Sequence, residues 1–75
     1  LMRSRLDGAN LVKTSLCGAN LASTSLTHTL LLEADLRPGS DHRTDLGYAN
    51  LSGADLSYAD LGAALLHHAN LDGAR

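Results

Sequence analysis

Leucine returns every five residues from Leu1 to Leu71, and of the fifteen positions in that register only Asp41 is not leucine. Two residues before each position comes a small side chain: Ala9, Ala19, Ala34, Ala49, Ala54, Ala59, Ala64, Ala69 or Ala74, with Ser4, Thr14, Thr24, Thr29, Gly39 and Thr44 filling the rest. On a helix, at about 100° per residue, leucines five apart would smear around the cylinder. In a flat strand an odd spacing would throw successive leucines to opposite faces. What remains is a backbone that changes direction once per repeat, so that each Leu and its small companion point at one axis. That is a solenoid.

The stretches A-N-L-S-G, A-D-L-S-Y and A-D-L-G-A over residues 49–63, and A-N-L-D-G over 69–73, resemble the pentapeptide-repeat family, whose motif is A-(D/N)-L-x-x. The resemblance covers residues 1–75. It implies an all-β fold, a right-handed four-sided parallel β-helix with one pentapeptide per side and about twenty residues per coil, so nearly four coils in a single domain.

At 75 residues and 44% apolar content, a conventional globular core is marginal. A solenoid avoids that limit, because coils stacked about 4.8 Å apart share one narrow leucine column. The absence of Phe and Trp fits such an interior, and Tyr48 and Tyr58 fall in outward slots. Gly8, Gly18, Gly53 and Gly73 share one corner slot, where they serve turns.

The segment Arg37–Arg43, R-P-G-S-D-H-R, breaks the pattern: Pro38 removes a backbone donor and Asp41 takes a slot that should hold an inward leucine. Two readings are open. A degenerate side stays in the coil with Asp41 swung to solvent, or the pentapeptide loops out and every later residue moves by one face; the first is favoured. If no side is expelled, residues twenty apart stack. His28, Tyr48 and His68 then align with His67 beside them, Lys13 meets Glu33, Val12 meets Leu32, and Asp35 meets Asp55. Arg37, Pro38, Asp41, His42 and Arg43 are the candidate loop residues.

Chemistry-bearing motifs are missing. There is no nucleophile elbow, phosphate loop or spaced Cys/His cluster, and Cys17 is alone in an outward slot. His28 and His68 would lie two coils apart, about 9.6 Å, too far to share a metal. The expectation is a chain with no cofactor, no metal and no catalytic residue. Net charge is −2, with Arg3, Arg5 and Lys13 at the start and Asp45, Asp55, Asp60 and Asp72 toward the end. That basic end is too sparse for a nucleic-acid footprint. The start has no apolar signal region and no run approaches membrane-spanning length, so a soluble, cytoplasmic protein is the expectation.

Two functional readings follow. The first is a non-catalytic structural or protein-interaction module that presents outward side chains to a partner protein, with Leu30, Leu32 and Leu65 as candidate contacts. The second comes from the resemblance alone: some pentapeptide-repeat proteins mimic a B-form duplex and bind DNA gyrase. Here the acidic array is thin, which ranks that reading lower. A chain without an initiator Met whose motif runs in register to Ala74 also reads as truncated or processed. Its ends should then be sticky. Leu61, Leu66 and Leu71 are the candidate surface for an end-to-end homodimer.

Overall fold

Each pentapeptide turns one corner. The small residue donates its N–H to the carbonyl of the leucine three positions earlier, as in Ala9 to Leu6 at 3.0 Å, Ala34 to Leu31 at 3.0 Å and Ala54 to Leu51 at 3.0 Å. The residue before the small one carries a positive φ, 68° at Gly18 and 71° at Gly53, but also 57° at His28 and 60° at Tyr58; at the Leu61 corner Gly62, one position earlier, carries it instead at 40°. A closing hydrogen bond with positive φ at the third residue is the mark of a type II turn. The Asn or Asp of the motif braces the same corner: Asn10, Asn50, Asp55 and Asp60 each accept through Oδ1 the N–H two residues on. This is an Asx turn. Short polar side chains are therefore structural in that slot.

The computed structural model describes residues 3–75, so Leu1 lies outside the described residues. Successive coils meet through parallel one-residue bridges that define four sides. Arg5, Ser25, Asn50 and Asn70 run up side 1, Asn10, Leu30 and Asp55 up side 2, Ser15, Asp35 and Asp60 up side 3, and Asn20, Asp45 and Leu65 up side 4. Inside, Leu21, Leu26, Leu31, Leu36, Leu46 and Leu51 are at most 2% exposed. Ala34, Ala49, Ala54, Thr24, Thr29 and Thr44 fill the space between them. The Thr29 hydroxyl is satisfied within the turn, donating to the Leu26 carbonyl at 2.8 Å. Among the described residues no buried side-chain polar atom lacks a partner.

The bridges correct the favoured sequence reading of residues 37–43. Below the segment the register is twenty residues, Asn10 facing Leu30; across it the register is twenty-five, Leu30 facing Asp55 and Asp35 facing Asp60; above it twenty returns, Asp45 facing Leu65. One pentapeptide has left the coil, and every later residue sits one side short of where the unbroken count puts it. With four pentapeptides to a turn and one of them expelled, the described residues make roughly three and a half coils instead of nearly four.

Pro38 supplies the reason. It falls two residues after Leu36, in the slot that takes positive φ at corners such as those after Leu16, Leu31 and Leu51, whereas its ring fixes φ near −65°. The same slot donates its N–H to the coil above elsewhere, Gly8 to Thr27 and Glu33 to Ser57, and proline has none to give. The corner after Leu36 cannot form, and Asp41 leaves with the loop instead of entering the leucine column. Gly18 and Gly39 pack backbone to backbone at the loop's base, where a Cβ on Gly18 would come within 3.0 Å of Gly39. Pro38 rests on Gly62 of the next coil. Buried Thr44 ties the base shut, its Oγ1 accepting from Gly18 N–H at 2.9 Å and lying 3.0 Å from the Arg37 carbonyl.

A cross-linking experiment reads the register directly. Bridged residues lie about 5 Å apart, within disulfide reach. In a chain with Cys17 changed to Ser, the pair Asp35→Cys and Asp60→Cys should oxidise to a disulfide, seen by mass spectrometry, whereas Asp35→Cys with Asp55→Cys should stay reduced.

Candidate protein-interaction surface

Two outward positions depart from the Asn/Asp slot in the same way. Leu30 on side 2 and Leu65 on side 4 give up the Asx brace that Asn10, Asp55, Asn20 and Asp45 make in the corresponding places. Each loses a hydrogen bond and gains an apolar face. Leu30 is 42% exposed, and Val12, 38% exposed, sits at the neighbouring corner under Leu32, their coils joined by the bond from Lys13 N–H to the Leu32 carbonyl at 2.9 Å. Val12, Leu30 and Leu32 thus form one apolar strip around side 2. Leu65 is half-buried on a different side, so the three leucines anticipated as one contact set belong to two surfaces.

Side 4 carries the extruded loop on its rim. A groove of about 430 Å³ runs between the loop residues Asp41, His42 and Arg43 and the ladder residues Asn20, Asp45 and Leu65, with Gly18 below. Arg43 holds the rim down through Nε, which donates to the Ala63 carbonyl at 2.7 Å. Toward the next corner lies a ring cluster. Tyr48 stacks on His68 with centroids 4.8 Å apart and meets His67 edge-on at 5.5 Å. His67 covers Gly47, where a Cβ would fall 2.7 Å from the imidazole and 3.1 Å from Asp45 Oδ1. His28 does not join them: after the register shift its ring lies over Gly53.

The carboxylates are mostly committed. Asp7 accepts from Ser25 Oγ at 2.5 Å and from Thr27 Oγ1 and N–H at 2.7 and 3.0 Å, with Arg5 at 3.6 Å, and these donors draw its pKa down to about 2. Asp35 is bound in two places by Arg37, at 2.8 and 2.7 Å, which holds its carboxyl well below the usual range and pushes the Arg37 guanidinium up. The hydroxyl and N–H of Ser57 lower Asp55 similarly. Lys13 meets Glu33 at 3.7 Å, as the twenty-residue spacing anticipates, but that pair is exposed and contributes little. The expected Asp35–Asp55 stack is replaced by Asp35–Asp60, and Arg37 reaches both members.

At the C-terminal end Leu61 and Leu66 are half-buried against the core and Leu71 is 43% exposed. In lower coils the leucine N–H donates upward, as Leu51 does to Asn70 at 2.7 Å. Leu61, Leu66 and Leu71 belong to the last of the described coils. The described residues contain no group of His, Cys, Asp and Glu that could hold a metal ion, and Cys17 is a free, exposed thiol. Sequence reasoning placed Tyr48, His67 and His68 together, as observed, but added His28 to them and missed the groove, because both of those errors follow from the register shift. The signal available was Pro38 in a positive-φ slot.

A family model described as pentapeptide repeats matches 8 copies over residues 1–37 and 42–75, skipping the loop, and the chain belongs to the pentapeptide-repeat family. It is similar to the crystal structure of HetL, a pentapeptide repeat protein involved in heterocyst differentiation regulation from the cyanobacterium Nostoc. That match has a TM-score of 0.97 and 69% identity, over 99% of this chain and 31% of HetL. A pentapeptide repeat protein of the Arabidopsis thaliana thylakoid lumen matches with a TM-score of 0.86 and 26% identity, over 97% of this chain and 47% of that one. These neighbours have the right-handed quadrilateral β-helix fold. The chain thus spans about a third to a half of their lengths. Comparison with curated proteins gives no match. Among the described residues no helix is long and apolar enough to cross a membrane.

The depressed carboxyl of Asp7 makes a pH prediction. A carboxylate whose folded pKa lies below its unfolded value stabilises the fold above the unfolded pKa, and that contribution is lost as pH falls through the folded one. The thermal midpoint should therefore drop between about pH 4 and about pH 2. Asp7→Asn should lower the midpoint at neutral pH and shrink the drop across that interval, both read by circular dichroism.

Proposed function

We propose that this chain is a non-catalytic protein-interaction module whose rigid sides display outward side chains to a partner protein. One observation carries the reading: Leu30 stands where the repeat uses Asn or Asp, sacrifices the corner hydrogen bond, and stays 42% exposed beside Val12 and Leu32. A local rule broken without gain to the fold points to function. The likeness to HetL, involved in heterocyst differentiation regulation, supports a regulatory setting, in which a surface that binds without reacting is what is required. DNA mimicry draws little support from the geometry, since Arg37 sits on the stacked carboxylates of Asp35 and Asp60 that such a mimic would need bare.

With Leu30→Asp and Leu32→Asp together, recovery of the partner in a pull-down should be abolished while the circular dichroism spectrum stays unchanged. Both side chains point outward, so the change spares the leucine column. Undiminished recovery would reject the strip on side 2.

Self-association is the second part of the proposal. In the 75-residue chain the apolar tops of Leu61, Leu66 and Leu71 and their unpaired N–H groups form a face that a second copy can cover about a two-fold axis, which closes the assembly at a dimer. Light scattering should give about twice the chain mass. Leu71→Asp should return it to the monomer value; a wild-type monomer at high concentration would reject the end-to-end contact.

A further inference from the structure

From the groove on side 4 we infer that it receives a basic segment of a partner protein, an Arg or Lys side chain lying along Leu65 with its charge toward Asp41 and Asp45 and its neighbour reaching the Tyr48 ring. This rests on the reading of the chain as an interaction module and names the chemistry of one of its partners.

Charge is the first argument. Among the described residues Asp7, Glu33, Asp35 and Asp60 each face an Arg or Lys, whereas Asp41 and Asp45, both lining the groove, take part in no ion pair. The one cation on the rim, Arg43, has its Nε committed to the Ala63 carbonyl. Carboxylates without a cation partner beside a concavity are complementary to a cation with an apolar stem, and Leu65 supplies the apolar floor such a stem covers.

Continuity is the second. Asp45 Oδ1 and the His67 ring converge on the same point above Gly47, and His67 packs edge-on against Tyr48, so groove and ring cluster form one strip across side 4. Tyr48 is 61% exposed and braced by His68 stacked on one side, which leaves a held aromatic ring able to take a guanidinium by cation–π attraction. Three departures from the repeat therefore coincide on one side: the extruded loop, the leucine in an Asx slot, and the rings.

Substitutions can be made without unfolding the chain. Asp45→Asn keeps the Oδ1 acceptor that braces Gly47 N–H at 2.8 Å, as Asn50 braces Ser52. Asp41 lies on the exposed loop. Asp72→Asn removes one charge elsewhere and controls for net charge.

The experiment titrates the 75-residue chain with a fluorescein-labelled, end-capped peptide of alternating arginine and glycine, by fluorescence anisotropy at physiological salt. Asp45→Asn and Asp41→Asn should each weaken binding about two- to fivefold. Tyr48→Ala should do so by a similar factor. Asp72→Asn should leave it within the error of the wild type. Equal weakening by Asp72→Asn and Asp45→Asn, or no binding by the wild type, overturns the inference. If the peptide fails while pull-down recovery still depends on Leu30 and Leu32, the interaction-module reading stands and only the basic partner on side 4 falls; if both fail, the module reading falls with it.

Discussion

Everything in this rod depends on the backbone ladder between coils. Leu26 N–H to the Asn50 carbonyl at 2.7 Å and Asn50 N–H to the Thr24 carbonyl at 3.0 Å are two rungs of it, and similar rungs join each side to the coils above and below. The ladder fixes the rise per coil at about 4.8 Å. At that rise the interior admits one leucine and one small side chain per side. Corners must then turn within two residues, which forces positive φ even on His28, Glu33 and Tyr48, where an L side chain costs about 1 kcal/mol or more relative to glycine. The fold accepts this strain at corner after corner because continuous pairing on both sides of each coil offsets it.

The same constraint explains the loop. Asp41 in the leucine column would bury a carboxylate with no cation inside to meet it, at a cost of several kcal/mol or protonation. Pro38 blocks the corner that would begin that side. Extrusion solves both problems together, since lengthening a surface loop by five residues costs only tenths to about one kcal/mol in closure entropy. The ladder then resumes with Asp45 over Asn20, and Thr44 takes over the small-residue slot with its hydroxyl bound into the loop's neck.

Core and corners were legible in the residues because their rules are local: a leucine every fifth position, something small two before it, glycine where φ is positive. The coil register was not legible in the phase. A whole pentapeptide can leave the coil without disturbing a five-residue count, so Leu36 and Leu46 look the same whichever path the chain takes between them. Reading Pro38 against the corner's φ would have resolved it. The surface inherited that uncertainty: Lys13 over Glu33 lies entirely below the loop and was placed correctly, whereas pairs spanning the loop, Asp35 with Asp55 and His28 with Tyr48, were each one side out. The acidic residues were legible as charge but not as braces, because the Asx turn needs the corner geometry before its purpose is visible.

Side 4 follows from the register shift in a further sense. An unbroken coil would put Asp45 in line with Ser25, and Leu65 would rise over Asp45 on that same side. Expelling five residues instead brings Asp45 over Asn20 and sets Leu65 beside the loop that caused the change. A flat-sided solenoid has few ways to make a concavity, because its sides are ladders and its interior is full. Pushing one side out gives it a rim, and the rim is held by backbone packing at Gly18 and Gly39 and by Arg43 on Ala63, so the groove is built into the fold and does not depend on a partner to form it. The insertion that interrupts the repeat is thereby the device that gives this length of β-helix a surface unlike its other three sides.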